Sequence, residues 1–242
     1  MRLTAMPWRS PRKQDYDMNI LTSYASPNFD DRKCPVCGIV IHYTEEELDD
    51  TIRIFLDDKC EKRVSSHYVI DRDGTVYLTV SEMKRAWHAG VGFWAGITDL
   101  NAVTIGIELV HLPHEDYDQR QILSLIELCH DIKSRHDIKW VIGHSDCAFQ
   151  RGKVDPGPRF PWKMLAYAGI GIWPAWQPPA SSLGNSELLR RIGYNVEDEA
   201  AAMAAFALHF CPGYPIDSSA VRKQLEAVYA MGLGKQKALA VR

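Results

Sequence analysis

No run of apolar residues in this 242-residue sequence reaches the roughly 18 needed for a membrane-spanning helix. The alanine-rich stretch 200–210 is too short, and His209 interrupts it. Positive charge is not in excess: 28 Lys and Arg stand against 31 Asp and Glu, a net charge of −3. That excludes a basic face for nucleic acid and a polybasic patch for an anionic membrane. Residues 1–17 carry Arg2, Arg9, Arg12 and Lys13 without an apolar segment, so they do not read as a secretory signal. They read as part of an N-terminal extension, residues 1–25, with Met18 a second candidate start. Six cysteines are scattered over the chain, which argues against a disulfide framework. Cys34-Pro35-Val36-Cys37 has no second cysteine pair to complete a four-ligand zinc knuckle and reads as small residues at a turn. The expected compartment is the cytoplasm; the alternative is the periplasm or cell envelope, reached without a readable signal. Internal repeats and low-complexity tracts are absent too.

What is present is the composition of a soluble globular protein, 46% hydrophobic and 24% charged, long enough for one full domain and a smaller second one. Three apolar runs predict buried strands: Gly38-Ile39-Val40-Ile41-His42-Tyr43, Val103-Thr104-Ile105-Gly106-Ile107-Glu108-Leu109-Val110, and Trp140-Val141-Ile142 leading into Gly143-His144. Ser65–Ile70 and Thr75–Val80 flank Asp71-Arg72-Asp73-Gly74, a hairpin signal. Thr44-Glu45-Glu46-Glu47 has the form of a capping box opening a helix with Leu48, Ile52, Phe55 and Leu56 on its apolar face. Asp118 caps a long amphipathic helix ending near His136, and residues 160–170 predict another. The fold class is α/β, a mixed central β-sheet flanked by helices, plus a small C-terminal three-helix domain. A Pro-rich linker, 173–183, separates a first domain at 26–172 from helical patterns at 187–192, 197–210 and 218–231 within 184–242.

Two of the strands end in imidazoles, His42 and His144, and a Gly/Pro-rich loop after His144 carries Lys153 and Asp155. Imidazole and carboxylate are ligands that hold zinc while leaving one position for water. His42, His144 and Asp155 are therefore the expected ligands of one Zn2+ per chain. A lysine between two ligands would repel the metal and suits an oxyanion better, which assigns Lys153 to the developing charge. Glu108 lies inside an apolar strand, where a carboxylate is costly unless paired or placed at a site, and is the candidate general base; a structural salt bridge is the alternative. The run Arg85-Ala86-Trp87-His88-Ala89-Gly90-Val91-Gly92-Phe93-Trp94 reads either as an aromatic shelf for a sugar or peptide or as a tryptophan plugging the core edge. His111 and His114 read as solvent-exposed loop histidines. These parts suit attack of an activated water on an amide or ester carbonyl.

Taken together, Ile41-His42-Tyr43-Thr44, the hairpin from Ser66-His67-Tyr68 to Asp73-Gly74, Arg85-Ala86-Trp87-His88-Ala89-Gly90, Ile105-Gly106-Ile107-Glu108, and Gly143-His144-Ser145-Asp146 through Lys153-Val154-Asp155-Pro156-Gly157-Pro158 resemble the AmpD/AmiD-type N-acetylmuramoyl-L-alanine amidases. The resemblance covers roughly residues 26–172 in consistent order. It implies zinc at His42, His144 and Asp155, catalysis by Glu108 and Lys153, and substrate contact by Tyr43, His67 and Trp87. It implies cleavage of the amide joining N-acetylmuramic acid, with or without a 1,6-anhydro ring, to L-alanine, with muropeptides or peptidoglycan as partner. A non-catalytic peptidoglycan-recognition module of the same fold is the alternative. The sequence departs from the family pattern at Phe149, where Pro is usual, at His111 and Cys147, and by one apparent inserted residue, Gly152. Residues 189–210 are similar to small helical peptidoglycan-binding modules, with Ala207 in place of a common glutamine.

Overall fold

Strands buried on both faces lose the polar alternation of a half-exposed strand, and the central strands here are of that kind. The computed structural model describes residues 19–59, 61 and 63–232. The expected extension up to residue 18, and Cys60, lie outside these. All six residues of β3 (Gly38–Tyr43) are buried. It pairs in parallel with β7 (Thr104–Leu109) on one side and β8 (Trp140–Gly143) on the other. Beyond β7 come the hairpin strands β4 (Tyr68–Ile70) and β5 (Val76–Leu78), joined through Gly74 at φ +90°, and then β1 (Ile20–Leu21) at the edge. The order β1-β5-β4-β7-β3-β8 is a mixed sheet, since β4 and β5 are antiparallel. Residues 20–21, expected to belong to an extension, are thus part of the sheet. A separate two-stranded ribbon joins β2 (Phe29–Asp31) to β6 (Lys84–Ala86).

The two faces carry different covers. Ile39 and Ile41 of β3, Ile105 and Ile107 of β7 and Val141 of β8 pack with Ile122, Leu125, Ile126, Cys129 and Ile132 of α3 (Gln119–Arg135). Those helical positions recur at 3–4 residue intervals, and each buried side chain is worth roughly 1.5–3 kcal/mol, which outweighs helix propensity. Asp118 caps α3 by accepting the Arg120 N–H, and the helix stops at His136, as the sequence predicts.

On the opposite face Val40, Trp140 and Ile142 pack with Trp94, with Leu100 of the short α2 (Leu100–Val103), and with the C-terminal helices α6 (Asn185–Ile192), α7 (Glu199–Phe210) and α8 (Ser219–Met231). Leu188, Ile192, Phe206, Phe210 and Leu225 belong to the same buried cluster as those strand residues. The three expected helices are present, and they share the core of the sheet. Residues 160–170 form only a short α5 (Trp162–Tyr167).

The expected capping box at Thr44 does not form. The Thr44 N–H is taken by Leu109 O at the end of β3, and its hydroxyl donates to Glu46 O at 2.6 Å within a local turn. Helix α1 (Leu48–Leu56) therefore starts after Glu47, whose carboxylate pairs with Arg72 instead of capping. Cys34, Cys37, Cys129, Cys147 and Cys211 are all unpaired. Among the described residues no helix is long and apolar enough to cross a membrane.

Candidate active site

Parallel pairing sets His42 of β3 directly beside Glu108 of β7, on the same face of the sheet. His144 follows β8 as the first residue of α4 (His144–Ala148), in phase with Trp140 and Ile142. A 3-10 turn at Phe149–Arg151 comes next, closed by Gly152 at φ +73° with its N–H on Phe149 O at 2.8 Å. A Cβ at Gly152 would meet nothing within 4 Å, so the left-handed backbone is its reason for being glycine. After this turn the chain returns with Lys153 lining the cleft and Asp155 buried against the two imidazoles.

Nδ1 of His42 and Nδ1 of His144 each lie 3.1 Å from Asp155 Oδ2. Ligands bound to one zinc at about 2.0–2.1 Å in tetrahedral geometry stand about 3.3 Å apart, close to this spacing. The outer hydrogen bonds orient the rings accordingly. His144 Nε2 stands 3.1 Å from Ala89 O and 3.0 Å from Arg151 Nη2; with a metal on Nδ1 the proton would sit on Nε2 and be donated to Ala89 O, the carbonyl that Arg151 also reaches at 2.7 Å. Thr104 Oγ1 donates to Leu100 O at 2.6 Å and so accepts from His88 Nε2 at 3.2 Å. His88 Nδ1 is then left to accept from His42 Nε2 at 3.1 Å. With both Nε2 atoms protonated, two imidazole lone pairs and a carboxylate oxygen face one another, an arrangement that a cation between them stabilises. His42, His144 and Asp155 are a group that could hold a metal ion.

The electrostatics agree. Burial, the neighbouring His144 and the charge of Lys153 outweigh the pull of Asp155 and hold His42 down at about 4, so its ring is neutral and available as a ligand. Burial alone would raise Asp155, but the His144 and His42 rings beside it keep its carboxyl well below the usual range. Glu108 is pushed well above the ordinary glutamate value, by burial first and then by Asp155, with Lys153 pulling the other way. Its Oε2 is buried without a hydrogen-bond partner. No arginine or lysine pairs with this carboxylate within 4 Å among the described residues, which disfavours the structural salt bridge.

The cleft over this group measures ≈ 200 Å³, with Tyr43, Trp87, Glu108 and Lys153 among its walls. Trp87 is half-buried, donates its indole N–H to Asp30 at 2.7 Å, and carries Arg63 over its ring at 5.1 Å. Trp94 is the core plug of the same run, packed edge-on against Tyr194. His67 is not in the cleft. It is fully buried beside β7, where Nδ1 accepts the Gly106 N–H at 3.0 Å and Nε2 faces Lys84 O at 3.1 Å. Burial and adjacent Arg32 hold it down at about 3. His111 is buried and stacked on Tyr117 at 3.8 Å, contrary to its expected exposure; only His114 is exposed.

His88 is the functional contributor that sequence reasoning assigned no separate role. The glycine inside β7 was its signal: a Cβ on Gly106 would lie 2.3 Å from the His88 ring.

These shifts predict an unusual pH profile for metal-stripped protein. In the unfolded chain histidines take up protons near 6.5, whereas folded His42 and His67 stay neutral down to about 4 and about 3, and His88 stays neutral well below 6.5. Their stabilisation is complete above pH 6.5 and is lost as pH falls through those folded values, up to about 3 kcal/mol for His42 alone. Glu108 acts oppositely: unfolded it ionises near 4.5, folded it keeps its proton, so its stabilisation drains as pH rises between the two values. Urea midpoints across pH in excess chelator should rise towards about 6.5 in wild type, with Glu108 working against that rise above about 4.5; a flat profile would contradict the assignment.

The match to known proteins follows the same residues. The family model described as N-acetylmuramoyl-L-alanine amidase matches residues 32–158, which include His42, Glu108, His144, Lys153 and Asp155. The Escherichia coli (strain K12) N-acetylmuramoyl-L-alanine amidase AmiD is 36% identical over 210 residues, covering 72% of this chain and 74% of AmiD. A structure of E. coli AmiD in complex with the substrate anhydro-N-acetylmuramic acid-L-Ala-D-gamma-Glu-L-Lys superposes with TM-score 0.71 at 33% identity, covering 82% of this chain and 90% of that one. AmpDh3 from Pseudomonas aeruginosa in complex with anhydromuramic pentapeptide gives TM-score 0.66 at 30% identity over 89% of this chain and 96% of that one. With more than half its length matched by the family model and 36% identity to AmiD over 72% of its length, the chain belongs to the N-acetylmuramoyl-L-alanine amidase family.

Proposed function

We propose that this protein is a zinc-dependent N-acetylmuramoyl-L-alanine amidase, hydrolysing the amide between the lactyl group of N-acetylmuramic acid and L-alanine in muropeptides. The observation that carries the reading is the convergence of His42 Nδ1, His144 Nδ1 and Asp155 Oδ2 beside the unpartnered carboxyl of Glu108 in one cleft. Two imidazoles and one carboxylate suit zinc with an open position, and the outer hydrogen bonds to Ala89 and His88 orient them for it. When bound, zinc would supply the Lewis acid that polarises the scissile carbonyl and acidifies water.

The chain's own residues do the rest. Glu108 has a raised proton affinity, is drawn back by Lys153, and takes the proton of the attacking water and returns it to the departing amine of L-alanine. Lys153 presents its ammonium to the oxyanion that forms on the former carbonyl. Tyr43 and Trp87 wall the cleft and hold the sugar or peptide in register. The ligands carried by the E. coli and P. aeruginosa structures support a 1,6-anhydro muropeptide as substrate.

Mass-spectrometric product analysis on a defined anhydromuropeptide, alongside intact sacculi, tests the reading. The expected products are anhydro-N-acetylmuramic acid with a free lactyl carboxylate and a stem peptide with a free L-alanine amine. Binding of the muropeptide by zinc-loaded protein without cleavage would replace this reading with a recognition module.

A further inference from the structure

Two side chains from the C-terminal helical region reach the turn that carries His144. The carboxylate of Asp146 is fully buried within α4. Its Oδ2 accepts the Gly143 N–H at 2.8 Å and the His209 Nδ1–H at 2.7 Å. Its Oδ1 accepts the Tyr194 hydroxyl at 2.5 Å. Tyr194 lies just past α6 and His209 in the last turn of α7, 48 and 63 residues away in sequence. Both are buried, and the His209 ring stacks on Trp162 at 3.8 Å. The same turn holds the Asp155 segment, since Ser145 N–H donates to Asp155 O at 2.8 Å.

A carboxylate with no access to water costs several kcal/mol unless donors surround it. Asp146 has three, and two come from the C-terminal helices. A backbone bond to Gly143 alone would set the turn loosely; two further donors, one just past α6 and one on α7, fix the carboxylate in space. His144 is bracketed by the two ends of that arrangement, Gly143 before it and Asp146 after it. Asp146 does not line the cleft and faces no reacting atom.

We propose that Asp146, gripped by Tyr194 and His209, is a positioning residue for His144, so that helices α6 and α7 are part of the hydrolytic unit. The inference rests on the metal-ligand role of His144 in the proposed function. Where the turn shifts, His144 Nδ1 moves relative to His42 and Asp155, and the ligand triangle opens.

The test uses full-length protein and three substitutions: Tyr194→Phe removes one hydroxyl, His209→Phe keeps the stacked ring and removes the donor, and His209→Asn keeps a donor and removes the ring. Zinc affinity is read by chelator competition, with kcat and KM on a muropeptide and thermal melting in parallel. Tyr194→Phe and His209→Phe should each weaken zinc binding about 10-fold, the scale of lost outer-shell partners, and lower kcat with KM little changed. His209→Asn should lie close to wild type in zinc affinity. Unchanged zinc affinity in Tyr194→Phe, or a loss in His209→Asn that His209→Phe escapes, would overturn the positioning role in favour of simple packing. Wild-type protein that binds no zinc would overturn the metal reading and this inference with it; wild-type binding with unaffected variants overturns this inference alone.

Discussion

Asp155→Ala is expected to abolish stoichiometric zinc binding and, with it, turnover. Asp155 supplies the only carboxylate of the three-residue group, and its Oδ2 is the atom 3.1 Å from both imidazoles. Losing an outer-shell partner costs roughly 10–100-fold in metal affinity, and losing a ligand from a set of three should cost more. The charge balance worsens as well, since a dication would face two neutral rings and the Lys153 ammonium without a compensating anion. Thermal melting gives a direct readout. Zinc at about 100 times its dissociation constant stabilises the native state by about 2.7 kcal/mol, so wild type should melt higher on adding zinc and Asp155→Ala should not move. Retained one-to-one zinc in Asp155→Ala would remove this residue from the metal site.

Glu108→Gln should separate metal binding from chemistry. Glutamine keeps the shape of the side chain and cannot take a proton, so zinc content is expected to stay at one per chain while kcat falls about 10²–10⁴-fold. KM should change little, because the lost interaction belongs to the proton transfers. The same substitution should stabilise metal-stripped protein near neutral pH. Burial and the nearby Asp155 disfavour charge on the wild-type carboxyl, and Oε2 has no partner. Glutamine carries no such cost, so the component of the pH profile that lowers stability above about 4.5 should disappear. A near-normal rate in Glu108→Gln would place the base elsewhere in the cleft.

Several of these assignments were legible before the structure because the central strands are buried on both sides. In such a strand a polar residue stands out against an apolar run, as His42, Glu108 and His144 do. Parallel register then sets His42 and Glu108 level, and β8 continues into His144 in phase. What sequence could not supply was depth. His67 precedes β4 and so falls short of the level of Glu108 and His42, with its ring against Gly106 and Arg32. His111 sits in a polar stretch and is buried between Tyr117, which stacks on it, and Tyr43. The Thr44 box failed because a tertiary backbone bond to Leu109 outcompeted a local cap. His88 and Asp146 act through partners far away in sequence, and no local pattern announces such pairings.

The helical region illustrates the same limit. Its three helices were predictable from periodicity, capping and the stop at Gly232, which adopts φ +85°. Its shared core with Val40, Trp140 and Ile142 was not, because hydrophobic spacing says which face is buried and not against what.

The central claim is that two imidazoles and one carboxylate meet on a single zinc with one corner left open to solvent. X-ray absorption at the zinc edge of the loaded protein measures that shell directly. About four nitrogen and oxygen neighbours at about 2.0–2.1 Å are expected, with the scattering signature of two imidazoles. A sulfur neighbour at about 2.3 Å, or a shell with three or four imidazoles, would contradict it.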